Sequence, residues 1–192
     1  HAFHACATVW EKNYVPFPYW PPSHHLGYVR AANCVLSRYP LSNHERIIFP
    51  KPQSNPFWYN WFYLERIAQK VSIQLGAQKL ALWNIHLEAF DPKTREAQIQ
   101  ILSKEIESEK NPIKIVAGDF NSPSRFQENL NKQDQKELED KGEILKKFSE
   151  LTDLQNAEKK EIFYTMPSWK PVKKIDHLFY NPAQLKLEET GT

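Results

Sequence analysis

Glycine is scarce in this chain, five in 192 residues, and methionine occurs once. Those few glycines, scattered beside 14 prolines, exclude a collagenous repeat and a flexible Gly/Ser linker, and no low-complexity tract or internal repeat is present. Long apolar runs are also missing. Nothing approaches the roughly 18 to 20 residues that cross a bilayer, and mean hydropathy is −0.65, so a soluble protein, cytoplasmic or secreted, is expected. Charge of one sign is lacking too: a net charge of +2 attracts polyanions only weakly and gives no dense basic stripe of the sort that drives non-specific DNA binding. The two cysteines, Cys6 and Cys34, form no C-x-x-C pair, which removes a zinc knuckle or a redox motif. They read as free thiols, with a disulfide as the alternative. The chain opens without an initiator Met and without a basic segment leading into an apolar stretch, so its start reads as processed or cut.

What is there suits one globular domain over residues 1–192, with 41% hydrophobic and 25% charged residues. Prolines recur through Tyr14 to Pro22 and forbid a helix, leaving an ordered loop. Ala32 to Leu36 reads as a short buried strand that turns at Ser37 to Pro40. Val71, Ile73 and Leu75 alternate toward Gly76-Ala77-Gln78, and Lys79 to Leu87 follows, which is a hairpin signal. The second arm places Leu80, Leu82, Asn84 and His86 on one face and Ala81, Trp83, Ile85 and Leu87 on the other. Asp91-Pro92 supplies a helix cap and a first-turn proline, with Ile99, Leu102 and Ile106 at helical spacing until Asn111-Pro112. Ile113 to Ala117 is a further short strand, so strand, helix and strand suggest a crossover unit. Gln127 to Glu143 is polar, a solvated helix or mobile excursion, before Ile144, Leu145, Phe148 and Leu151 restore an apolar helical face. Lys174 to Tyr180 is a last strand, with Ile175, His177 and Phe179 opposed to Asp176, Leu178 and Tyr180.

Polar residues gather at the ends of these strands: Asn84 and His86, then Asp119 and Asn121, then Asp176. Such strand ends border the ligand crevice in α/β folds. If the chain stays extended through Phe120, Asp119 and Asn121 point to one side and the phenyl ring to the other. A carboxylate, an amide and an imidazole suit phosphoryl chemistry, because imidazole and amide hydrogen-bond phosphate oxygens while the carboxylate holds a hard cation or a proton for the leaving oxygen. Nucleophilic acyl transfer fits poorly, and no G-x-S-x-G elbow, Walker loop or H-E-x-x-H pair is present.

Four motifs in order carry a resemblance: Leu36-Ser-Arg-Tyr-Pro-Leu41; Asn84-Ile-His-Leu87 with Arg95 and Gln98; Gly118-Asp-Phe-Asn121; and Thr165-Met-Pro-Ser168 through Ile175-Asp-His-Leu-Phe-Tyr180. Together, over about three quarters of the chain, they resemble the endonuclease/exonuclease/phosphatase superfamily. The resemblance implies an α/β (α+β) four-layer sandwich, two mixed sheets face to face with helices outside. It also implies a phosphoester hydrolase dependent on Mg²⁺ or Mn²⁺. By the same resemblance His86 contacts the scissile phosphate and Asp119 protonates or activates the leaving oxygen. Asn121 positions phosphate and water, and Asp176 orients a base histidine. Asp119 and Asn121 are the implied metal contacts, and Asn84 supports its strand. The expected substrate is a nucleotide, a nucleic acid or a phospholipid headgroup, with diester cleavage favoured and no protein partner expected.

The chain departs from the family pattern at both ends. The early strand with its Asn and Gln-Glu pair, whose glutamate is the principal metal ligand, is not found upstream of Leu36, and the final Ser-Asp-His element is not found either. His177 does not replace the missing base, because it neighbours Asp176 on a strand and faces away. The domain is therefore expected to be an incomplete one. The alternative is a binding module on the same fold that has lost catalysis. Structural readings compete for single residues: Asp119 as a turn former, Asp176 as an ion-pair partner of lysines, His86 as a hydrogen-bonded core histidine. Trp10, Tyr14, Phe17, Tyr19 and Trp20, with the aromatics at 57–59 and 61–63, read mainly as core filling, with a base- or sugar-stacking rim as the second use.

Overall fold

Alternation in β4 (Ile67–Leu75) and β5 (Gln78–His86) produces a tight antiparallel hairpin, turned at Gly76, whose φ of +61° only glycine adopts freely. The structure is a computed structural model, and it describes residues 2–15, 23, 26–126, 132–157 and 163–189. The expected loop from Tyr14 to Pro22 lies outside them beyond Val15, and so do Phe17, Tyr19 and Trp20.

β5 pairs in parallel with β6 (Ile113–Asp119) after crossing through α2 (Pro92–Ser108), as the strand, helix, strand pattern requires. β3 (Leu41–Ile48), β8 (Gln155–Asn156) and β10 (Asp176–Tyr180) complete a six-stranded mixed sheet in the order β3-β4-β5-β6-β10-β8. The Asp91 side chain accepts a 2.9 Å hydrogen bond from the Thr94 N–H at the start of α2, and Pro92 follows it. Ile99, Leu102 and Ile106 of that helix are buried with Ala81, Trp83, Ile85 and Leu87. α3 (Lys132–Thr152) adds Ile144, Leu145 and Phe148 to the same core, but Leu151 is exposed and Leu154 takes the inward place after the helix. A small antiparallel pair, β7 (Arg125–Phe126) with β9 (Lys173–Lys174), flanks the sheet.

The opposite face of the sheet carries a second sheet, made of β1 (Phe3–Val15) and β2 (Gly27–Ser37). Ala7 and Val9 pack on Ile67, and Asn84 and Gln69 donate to the Cys34 and Ala5 carbonyls at 3.3 and 2.8 Å. Asn84 thus supports the strand stack, as expected. The α/β class with two facing sheets and helices outside is the one the sequence suggested. The stretch Ala32 to Leu36 is a strand but not a buried one: only Val35 within it is buried, because the outer face of β2 looks away from the larger sheet.

The cysteines are not free thiols. Cys6 and Cys34 stand opposite each other in the β1/β2 register, with Cα atoms 4.1 Å apart, and form a disulfide. Cross-strand neighbours far apart in sequence are invisible until the register is known. Closing that loop stabilises the fold by about 3 kcal/mol on the chain-entropy account, so reduction, or the pair Cys6→Ser and Cys34→Ser, should lower the thermal midpoint by several degrees. A melt that is unchanged by reductant would show that the hairpin needs no staple.

The short helix α1 (Phe57–Phe62) corrects the expectation for its aromatics. It contains no buried residue, and Phe57 is 86% exposed and Trp61 68%. Pro56 starts it and Tyr63 leaves it in an extended conformation, so one turn of aromatic side chains stands over the surface instead of filling the core. No helix among the described residues is long and apolar enough to cross a membrane.

Candidate active site

Register brings three of the expected residues into one row. His86 at the end of β5 lies opposite Asp119 at the end of β6, and Asp119 lies opposite Asp176 at the start of β10. The His86 Nε2 to Asp119 Oδ2 distance is 3.6 Å, and each side chain is about one quarter exposed (25% and 28%). Asp176 is exposed, and the Thr165 hydroxyl accepts from its backbone N–H at 3.3 Å and from that of Ile175 at 3.1 Å. That contact joins the two halves of the last motif.

Asn121 reaches the row by a turn instead of by an extended chain. β6 ends at Asp119, and Asn121 has φ +47°, a left-handed conformation that asparagine tolerates better than most residues. Its N–H donates to Asp119 Oδ1 at 2.7 Å, and its Nδ2 donates to the Leu87 carbonyl at 2.9 Å. Its side chain therefore ties the end of β6 to the residue after His86. Phe120 between them is fully buried, with ring centroids 5.3 Å from Phe148 and 5.0 Å from Phe179. The aromatic cluster holds the turn, and the polar pair stays at its mouth.

Gly118 is not the turn it resembles. It lies within β6 at φ +137°, and a Cβ there would stand 2.2 Å from the Ile85 carbonyl oxygen. His177 is buried on the far face against Phe120, with Nε2 at 2.9 Å from the Ser122 carbonyl, so it faces away from the row as expected.

Burial, and after it the charge of Arg66, lowers the His86 imidazole from its ordinary value to about 4, so the ring is neutral at neutral pH. Burial pushes the Asp119 carboxyl up to about 6; the Asn121 N–H opposes this, and the charge of Asp176 adds to it. A neutral imidazole beside a carboxyl that titrates near 6, closer to neutrality than an ordinary carboxylate, is a pair suited to proton transfer.

Behind the row lies a group that sequence reading did not single out. Arg66, 5% exposed, hydrogen-bonds His86 Nε2 through Nη1, and its Nε is 3.6 Å from Oε2 of Glu88, which is fully buried. Glu88 Oε1 accepts from the Tyr63 hydroxyl at 2.7 Å and from the Phe90 N–H at 3.0 Å. Burial, followed by that bond to Glu88, raises the Tyr63 phenol to about 12. The signal for Glu88 was the period of β5, which continues past its last residue from Asn84 and His86 to 88 on one side.

Arg95 and Gln98 hold this segment from below. Arg95 donates to the Glu88 and Ala89 carbonyls at 2.6 and 2.9 Å, and the Gln98 Oε1 accepts from the Glu88 N–H at 2.8 Å. Both are fully buried polar residues on α2, and their task is to fix the backbone that follows His86.

The donor set can be compared with what a hard cation needs. Mg²⁺ is usually held by one or two carboxylates and keeps several waters. Asp119 offers a carboxylate, and Asn121, whose amide nitrogen is taken by Leu87, offers its oxygen. These two oxygens suit such an ion as part of a set, while among the described residues no group of three or more His, Cys, Asp or Glu is placed to hold a metal.

The model of the Endonuclease/Exonuclease/phosphatase family matches residues 2–192, and the chain belongs to that family. No curated protein matches it. Among solved structures, the chain is similar to sphingomyelinase C from Streptomyces griseocarneus, at 15% identity and TM-score 0.55, covering 80% of this chain and 53% of that one. It is similar to an endonuclease/exonuclease/phosphatase family protein from Leptotrichia buccalis C-1013-b, at 14% identity and TM-score 0.56, covering 93% and 60%. The human Nocturnin catalytic domain, solved with a bound sulfate anion, matches at 19% identity and TM-score 0.52, covering 93% and 60%. The chain spans about half to three fifths of the length of these structures.

Proposed function

We propose that this chain carries part of the active site of a divalent-metal-dependent phosphoester hydrolase that favours diesters and attacks phosphorus with an activated water. The observation that carries the reading is the in-register row of His86, Asp119 and Asp176, with Asn121 hydrogen-bonded into its mouth. Family membership supports the reaction class.

In this reading Asp119 and Asn121 would hold Mg²⁺ or Mn²⁺, which supplies positive charge to the phosphoryl oxygens. The neutral His86 ring hydrogen-bonds a phosphoryl oxygen, where charge accumulates in the transition state. A carboxylate that holds the cation is ionised, so Asp119 would serve the leaving oxygen through a hydrogen-bonded water instead of with a proton of its own. Asp176, exposed at the end of the row, would orient a base histidine. The substrate is a nucleotide, a nucleic acid or a phospholipid headgroup.

The test is hydrolysis of bis(4-nitrophenyl) phosphate by purified protein with Mg²⁺ or Mn²⁺. Turnover should vanish with EDTA, and His86→Ala should lower it on the order of 10²-fold. Turnover that survives EDTA, or that ignores the loss of His86, would sink the reading. The alternative reading is a binding module on the same fold. Binding of phosphate without hydrolysis under any metal would select it.

A further inference from the structure

Tyr63, Glu88, Arg66 and His86 form a continuous chain of polar contacts from a half-buried phenol through the interior to the reactive row. Its inner members are almost completely enclosed: Glu88 is fully buried and Arg66 is 5% exposed. Arg66 also packs its guanidinium 5.8 Å from the centroid of the Tyr63 ring. A cation in such a place is costly unless it is paired and oriented. Glu88 supplies the pairing, at 3.6 Å to Nε, and Tyr63 fixes Glu88 through the 2.7 Å bond to Oε1. The guanidinium is thereby held from one side and meets His86 Nε2 on the other.

Arginine is a donor only and keeps its charge at every accessible pH. Any ring nitrogen that it hydrogen-bonds must therefore be an acceptor. A neutral imidazole has one acceptor nitrogen and one N–H, and the bond made by the first fixes the position of the second. Nδ1 of His86 has no hydrogen-bond partner among the described residues, and the ring is partly open to solvent.

We infer that Arg66, clamped by Glu88 and Tyr63, is a positioning residue that locks His86 in the tautomer with its proton on Nδ1. The Nδ1–H is then the donor that this histidine offers to an anionic phosphoryl oxygen. The sequence hides this device, since Arg66 stands beside Glu65 at the foot of a strand and looks like surface charge. The tautomer follows from the Arg66 contact, because Asp119 Oδ2, 3.6 Å from the same ring nitrogen, is too distant to hydrogen-bond it; only the consequence for turnover rests on the hydrolase reading.

The experiment is long-range ¹H–¹⁵N NMR of the imidazole nitrogens in uniformly labelled protein at neutral pH, His86 being assigned from His86→Gln. Wild type should show an unprotonated Nε2 and a protonated Nδ1. The double variant Arg66→Met with Glu88→Gln removes both charges, so neither is left alone in the interior, and in it the proton should move to Nε2. Arg66→Lys, which keeps a donor, should retain most of the wild-type pattern. A wild-type ring protonated on Nε2 would overturn the inference without recourse to any variant, whether or not the double variant folds. A double variant that folds and keeps its proton on Nδ1 would overturn it as well.

Turnover of bis(4-nitrophenyl) phosphate separates the two readings. With the expected tautomers, kcat in the double variant should fall on the order of 10²-fold, with KM within about threefold of wild type. Expected tautomers without any hydrolysis by wild type would leave the positioning role standing and remove the hydrolase reading. A shifted tautomer with unchanged kcat would overturn the role of Arg66 in catalysis.

Discussion

Asp119→Asn should lower phosphodiester hydrolysis at least about 10³-fold and at the same time make the metal-free fold more stable at neutral pH. The two effects have one origin. Burial and the neighbouring Asp176 raise the Asp119 carboxyl to about 6 from an ordinary value of 3.8. A carboxyl whose folded value lies above its unfolded one binds its proton more tightly in the native state. Native stability therefore falls as pH rises from about 4 to about 6 and stays lowered above that window. Over a separation of this size the decline is up to about 3 kcal/mol, reduced by the solvent that reaches the group. Asparagine keeps an oxygen to accept the Asn121 N–H and carries no charge, so the variant should be the more stable protein above pH 6. Urea unfolding in EDTA at pH 4 and at pH 7.5 measures this. The two proteins should converge at the lower pH, and equal stability at pH 7.5 would mean that Asp119 carries no such burden. The loss of turnover follows from removing the charged carboxylate offered to a cation and to the water beside the leaving oxygen.

Gly118→Ala should cost at least about 3 kcal/mol. The added methyl would lie 2.2 Å from the Ile85 carbonyl oxygen and 2.9 Å from its nitrogen, and both are backbone atoms of the adjoining central strand. No rotamer relieves that overlap, and φ of +137° is itself a conformation that L side chains avoid. The strands β5 and β6 must then separate at the point where His86 and Asp119 stand side by side, so the variant should lose the site as well as stability. The check is the urea midpoint, read with the unfolding slope to exclude a change of denatured state. A midpoint within experimental error of wild type would show that the β5/β6 contact can open at little cost.

Much of this site was legible because it grows from local pattern. Alternation in β5 gives the facing of His86, the Asp91-Pro92 cap gives the crossover helix, and strand, helix, strand then forces β6 beside β5. Asp119 and His86 become neighbours by topology alone. The parts that escaped depend on partners brought from elsewhere. Cys6 and Cys34 meet only through the β1/β2 register, and Asn121 turns where an extended chain was expected because its N–H finds Asp119 Oδ1. Arg66 and Glu88 look like surface charges until the fold closes around them, and the aromatics of α1 look like core until it does not. Hydrophobicity and charge at a single position report average behaviour, and these residues depart from it because specific neighbours outweigh the average.

The row of His86, Asp119 and Asp176 also joins parts of the chain that differ in how far apart they lie in sequence. β4, β5, α2 and β6 are consecutive and close on one another through local contacts and one crossover, whereas β10 reaches β6 from much further along the chain. Long-range pairings of this kind form late, since their loop entropy is lost before their contacts are gained. Asp176 comes to Asp119 across that longer loop, and with it comes the repulsion that helps lift the proton affinity of Asp119. A chain with β5 and β6 in place but β10 undocked would hold a more acidic Asp119, so the docking of β10 helps to set the proton affinity at the end of β6.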